Sequence, residues 1–265
     1  MFKSSGEKLL ASNKIKKKKG PEYRKINKTP YKVLDAPNLQ DDFYLNLLEW
    51  SQQNILAVAL ESSLYLWNAS NNKVVRFCDQ APHLITSLTW NPLGTQISVG
   101  NSQGIVDVWD LGKSAKIQSF DGHHSRVSSL AWSSSLIASG SRDRNIFLRD
   151  PRQGRNDKVG ILQSHTQEVC GLKWSFDDYS LASGGNDNKL CIWNVNSQYP
   201  VYKFNQHSAA VKGLAWSPHN HGIVASGGGS ADRTIKFWNT LDGTLLDSID
   251  TGSQVCNLLF SKTTK

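Results

Sequence analysis

Five tryptophans, Trp50, Trp90, Trp132, Trp174 and Trp216, stand 40, 42, 42 and 42 residues apart. No other feature of the chain constrains its fold as much. Each tryptophan closes an apolar run: LNLLEW from Leu45, ITSLTW from Ile85, VSSLAW from Val127, VCGLKW from Val169 and VKGLAW from Val211. In the fourth copy a turn follows, then a short run ending in small residues (LASG), a second turn (GNDN), an alternating run (KLCIW) and a fourth run (PVYKF). A glycine pair in mid-unit and an apolar period near two exclude an amphipathic helix. Self-similarity at a fixed period means one supersecondary unit that buries its apolar faces only by stacking on its neighbours. A sixth copy begins at GSQVCNLLFSK, with Phe260 in the tryptophan slot.

Four short strands per unit of roughly 40–45 residues mark a WD40 β-propeller. The expected fold is all-β, with five blades plus one strand of a sixth and an incomplete ring. Blades of this kind hold a buried network. A histidine precedes the first strand, a serine ends the second, an aspartate lies in the next turn and a tryptophan ends the third. The fourth copy supplies His165, Ser183, Asp187 and Trp193, and the fifth His207, Ser226, Asp232 and Trp238. The third supplies His123, Ser139 and Asp143, but Arg149 replaces the tryptophan, so that network is expected to be incomplete. Buried carboxylates and imidazoles need hydrogen-bond partners, and such a relay provides them. Asp187 is therefore read as structural. Asn186 and Asn188 flank it unused by the network. They serve either turn chemistry or a ligand.

Charge divides the chain. The net charge is +8, yet residues 1–32 carry eleven Lys/Arg against two Glu, and the remainder nineteen against twenty. We expect a basic disordered tail over residues 1–30 and the partial propeller over 31–265. The near-neutral globular part argues against a nucleic-acid groove. The Lys16–Lys19 run reads as a nuclear localisation signal, or else as a phosphate contact for RNA or DNA. A chain lacking it discriminates, by lost nuclear entry or by lost salt-sensitive binding. Cys78, Cys170, Cys191 and Cys256 form no CxxC pair and no disulfide framework, so a reducing compartment is expected. No apolar run approaches the ~18 residues of a membrane span. Phosphate-loop, nucleophile-elbow and zincin motifs are absent, and His219 with His221 lack a third metal ligand. An enzyme, a metal, a cofactor and a small-molecule substrate are not expected.

The longer motifs narrow this further. KVLDAPNLQDDFYLNLLEWS, SGSRDRNIFLRD, LASGGNDNKL, ASGGGSADRTIKFWNT and DTGSQVCNLLFSK resemble the Fizzy and Fizzy-related proteins. DDFYLNL, SGSRDR and DTGSQVCN are more similar to the Fizzy-related branch. The resemblance implies a substrate-recruiting activator of the anaphase-promoting complex. Its partners would be that ligase's subunits and degron-bearing substrates such as cyclins, in nucleus and cytoplasm. A KEN degron would dock at Glu49, Asn186, Asn188, Ser230 and Gln254. Glu49 and Ser230 stand where the family has Asp and Thr. Glu49 would take the degron lysine. A destruction box would place its arginine on Asp42, at the side between first and last blades. Relative to a seven-bladed family, the last blades, an N-terminal C-box and a C-terminal Ile-Arg tail are missing. That implies a truncated or impaired form, an open arc in which YKVLDAP and QVCNLLF lack their strand partners. The alternative is a WD40 scaffold or competitor that does not activate the ligase.

Overall fold

The computed structural model describes residues 27–30, 32–153 and 158–263. The basic run Lys16–Lys19, with nearly all of the expected tail, lies outside the described residues. One compact unit begins at Ala36. It consists of five antiparallel four-stranded sheets, each a blade built from consecutive strands. Blade one holds β1 (Leu48–Trp50), β2 (Ile55–Leu60), β3 (Ser63–Asn68) and β4 (Val74–Asp79). Blade two holds β5 (Ile85–Trp90), β6 (Gln96–Asn101), β7 (Val106–Asp110) and β8 (Ala115–Phe120). Blade three holds β9 (Val127–Trp132), β10 (Ile137–Ser141), β11 (Asn145–Arg149) and β12 (Lys158–Gln163). Blade four holds β13 (Val169–Trp174), β14 (Ser180–Gly185), β15 (Leu190–Asn194) and β16 (Pro200–Phe204). Blade five holds β17 (Val211–Trp216), β18 (Ile223–Gly228), β19 (Thr234–Asn239) and β20 (Thr244–Asp250). No helix among the described residues is long and apolar enough to cross a membrane.

There is no single core. Four apolar clusters fill the four seams between consecutive blades. Leu64 and Ala59 meet Ile85 and Val99 across the first seam, and Val106 and Phe120 meet Val127 across the second. Leu148 meets Trp174 across the third, and Leu190 meets Trp216 across the fourth. This is the quasi-linear packing of a repeat protein, in which each unit is stabilised by its neighbours.

The first strands lie innermost and side by side. Each of β5, β9, β13 and β17 carries a bulge, at Thr86, Ser128, Cys170 and Lys212, each 42 residues after the last. A bulge leaves one residue unpaired and re-aims it. All four bulged residues hold the segment Phe43–Asn46. Asn46 N donates to Thr86 O at 3.0 Å. Asn46 Nδ2 donates to Ser128 O at 2.6 Å and to Cys170 O at 3.4 Å. Lys212 Nζ donates to Phe43 O at 2.6 Å and Leu45 O at 2.7 Å. One extended segment thus ties the blades to each other at their inner edge.

The expected lone strand of a sixth blade is not a strand. A strand needs a ladder, and among the described residues none pairs with QVCNLLF. The segment instead lies against blade five, where Val255 N donates to Gly228 O at 3.0 Å. Val255 is buried, Phe260 meets Phe237 edge-on, and Leu259 stays 88% exposed. Residues 32–36 of YKVLDAP carry no strand either.

Candidate functional site

The turn between β14 and β15 is fixed from beneath. Trp193 Nε1 donates to Ser183 Oγ at 2.8 Å, and Ser183 Oγ lies 2.8 Å from His165 Nε2. His165 Nδ1 reaches Asp187 Oδ1 at 3.0 Å. The indole donates only, so the serine oxygen accepts it, and Nδ1–H donates to the carboxylate. Thr166 N closes the relay on Asp187 Oδ2 at 2.9 Å. Blade five repeats it: Trp238 Nε1 donates to Ser226 Oγ at 2.7 Å, Ser226 Oγ sits 2.7 Å from His207 Nε2, and His207 Nδ1 contacts Asp232. In blade three His123 bridges Ser139 and Asp143 at 2.9 Å each. Arg149, in the tryptophan position, donates instead to Asp121 O and stacks near Phe120 and Phe147. Its Nε and Nη1 are buried without a partner among the described residues.

These groups set an acid limit on stability. Burial pushes the Asp143 carboxyl up, but the His123 hydrogen bond and the Asn145 N–H outweigh it and hold it at about 2. Asp187 and Asp232 are held low in the same way. Burial holds the His123 and His207 imidazoles below their ordinary range, against the pull of their aspartates. His165 is the exception: despite its burial, hydrogen bonds to Asp187 and Cys191 raise it to about 9. His123, His207 and the three aspartates all have folded pKa values below the unfolded ones. Their stabilisation is therefore complete above about pH 6.5 for histidine and about pH 4 for aspartate, and is lost on acidification. The melting temperature should peak at about pH 6.5, falling towards about pH 9 as His165 loses its proton, falling below about pH 6.5 as His123 and His207 gain theirs, and falling again from about pH 4. Thermal melts across that range check this. A melting temperature that rises from neutrality to pH 5 would contradict it.

Above the relay, Asn186, Asn188, Ser230 and Gln254 line one cavity of about 360 Å³ with Phe43 and Tyr44. Four of the five positions expected to receive a KEN degron are thereby brought together. Tyr44 OH donates to Asn186 Oδ1 at 2.9 Å, and Asn186 Nδ2 donates to Gln167 Oε1 at 2.8 Å. Burial holds the Tyr44 phenol above its ordinary range, so it remains a donor. Each end of the Asn186 amide keeps one further hydrogen-bonding site. Asn188 stands at φ +63°, the left-handed region that asparagine tolerates best after glycine. Turn chemistry and a presented amide are thus combined in one tripeptide.

Glu49 is not brought to this cavity. It lies five residues past Tyr44 on an extended path, roughly 16 Å at ~3.3 Å per residue. It lines a separate cavity of about 360 Å³ with Trp50, Trp90, Trp174 and Lys173. Its carboxylate accepts from Trp90 N at 2.6 Å and from Thr89 Oγ1 at 3.4 Å. Desolvation raises this carboxyl, and Lys173 and the Trp90 N–H oppose the rise.

Asp42 lies next to the Asn186 cavity, in contact with Tyr44 and Arg126, which line it or its neighbour. Oδ1 accepts from Tyr44 N at 2.8 Å, and Oδ2 pairs with Arg126 Nη1 at 3.3 Å. Arg126 is also clasped by Glu168, at 2.7 and 3.0 Å. An arginine already occupies the acid expected to receive one. Arg126, Glu168 and Tyr44 were not singled out from the sequence. A signal existed: Arg126 and Glu168 both precede a first strand, 42 residues apart. Equivalent positions of adjacent blades are neighbours, so opposite charges there meet. Among the described residues no cluster of three metal-ligating side chains includes His219 or His221, and His221 Nε2 pairs with Asp177 at 2.8 Å.

Comparison with known proteins gives concordant results. The sequence profile of the CDC20/Fizzy WD40 domain matches residues 34–265. The chain is 56% identical over 240 residues to the B-type cell cycle switch protein ccs52A of Medicago truncatula, covering 90% of this chain and 50% of that one. It is 55% identical over 240 residues to FIZZY-RELATED 3 of Arabidopsis thaliana, with the same coverage. It is 43% identical to the anaphase-promoting complex subunit cdh1 of Dictyostelium discoideum, covering 99% of this chain and 38% of that one. A chain in a crystal structure of a mitotic checkpoint complex superposes with a TM-score of 0.89 at 41% identity, over all of this chain and 80% of that one. The chain spans about half the length of the plant relatives it matches.

Proposed function

Because the chain belongs to the CDC20/Fizzy family of WD40 proteins, in its Fizzy-related part, we propose that it binds degrons for the anaphase-promoting complex. The role is recognition, not catalysis. One observation carries the reading: Asn186, Asn188, Ser230 and Gln254, from three separate segments, line one cavity above a rigid relay. Side-chain amides and a hydroxyl suit an extended peptide, because they pair with backbone and with amide or carboxylate side chains. The relay and the Tyr44 contact hold the amide in place before the ligand arrives, which reduces the ordering cost of binding.

In this reading the glutamate and asparagine of a KEN peptide occupy the Asn186 cavity. Glu49 is not a contact of that cavity. A destruction-box arginine that reaches Asp42 must displace Arg126, which keeps Glu168 as its partner.

The test uses purified components. The immobilised chain should retain a cyclin fragment bearing a KEN sequence and release it to excess free KEN peptide. Equal retention of a fragment with those three residues changed to alanine would favour a scaffold without degron specificity.

A further inference from the structure

Beside the Asn186 cavity lies a second one, of about 420 Å³, lined by Arg126, Arg142 and Arg144. Tyr44 and Asn186 line both cavities, so the two are contiguous. Of the three guanidiniums only Arg126 is neutralised, by Glu168 and Asp42. Arg142 and Arg144 are exposed, and no acid pairs with either among the described residues. Asp143 between them is spent on His123, His124 N and Asn145 N. Glu168 and Asp42, the acids beside the cavity, are spent on Arg126.

The placement of these arginines is costly and specific. Arg144 stands at φ +76°, where a non-glycine residue is strained. Its counterpart in blade four is Asn188, at φ +63°. Blade three thus presents a cation from the turn position where blade four presents an amide. Two unpaired arginines lining one concave surface suit an anion with several acceptor oxygens.

We propose that this cavity receives an anionic side chain of the peptide bound next door, a carboxylate or a phosphoryl group, a few residues from its degron core. The inference rests on the degron reading for the occupant of the first cavity. The arginine pair itself is independent of that reading. A phosphoryl group, with its greater charge and three acceptor oxygens, should gain more than a carboxylate.

The experiment titrates the full chain with KEN peptides that carry serine, glutamate or phosphoserine at each flanking position in turn. A short phosphoserine peptide without KEN serves as a second probe. The variant is R142Q together with R144N. Asparagine tolerates the left-handed turn, as Asn188 does, so the blade keeps its shape. At one position phosphoserine should tighten binding on the order of tenfold over serine, with glutamate between. The variant should lose that gain and bind the serine peptide unchanged. If KEN peptides fail to bind but the phosphoserine peptide binds the wild type and not the variant, the arginine site stands and the degron reading falls. If phosphoserine gives no gain at any position, or the gain survives in the variant, the proposal is overturned.

Discussion

Asp187→Ala should destabilise the chain by about 3 kcal/mol or more, the cost of stripping an acceptor from several buried donors at once. His165 Nδ1–H, Thr166 N and, at 3.3 Å, Lys189 N all donate to this carboxylate. Its side chain is 3% exposed, so water cannot replace it. Asp187→Asn keeps one acceptor and loses the charge, and should fall between. The contrast is with the flanking amides. Asn186→Ala removes two partly exposed hydrogen bonds and should cost under about 1 kcal/mol. Asn188→Ala adds strain of about 1 kcal/mol at its positive φ, whereas Asn188→Gly does not. Thermal melts of the five variants check this. Equal losses for Asp187→Ala and Asn188→Gly would erase the distinction between relay and presented surface.

Lys212→Met should lower the melting temperature by roughly 5–10 °C, from a loss of about 2–3 kcal/mol. The ammonium donates to two main-chain carbonyls, Phe43 O and Leu45 O, and sits 5.3 Å from the Phe43 ring. Burial holds its pKa below the ordinary lysine value. Methionine fills much of the volume but leaves both carbonyls without their donor. Binding should weaken as well, because the freed segment carries Tyr44, which positions Asn186. A variant that melts within about 2 °C of the wild type would show that the segment does not tie the blades together.

What the sequence disclosed, and what it hid, follows from where the information lies. The period of 42 located each inner strand, and the small residues and tryptophans located each relay member, because these signals repeat within one unit. The role of Asn46 was not legible. It reaches Ser128 and Cys170, 82 and 124 residues away. Its meaning depends on bulges that no local pattern announces. Glu49 was grouped with Asn186 by resemblance, while strand geometry sends it to another cavity. The resemblance offers Asp42 to a degron arginine, whereas in the fold it pairs with the chain's own Arg126, a contact 84 residues away that no local pattern signals. QVCNLLF had the composition of a strand, and composition does not supply a pairing partner.

The central claim is that the Asn186 cavity receives the degron. Fluorescence anisotropy with a labelled KEN peptide tests it most directly. The variant combines Asn186→Ala, Asn188→Gly and Gln254→Ala, all at the cavity wall and all outside the relay. The account predicts saturable binding to the wild type. It predicts a loss of on the order of tenfold or more in the variant, the removal of several hydrogen bonds to the ligand. The variant should melt within a few degrees of the wild type, about 4 °C at most. Unchanged affinity in a folded variant, or no binding to the wild type, would contradict it.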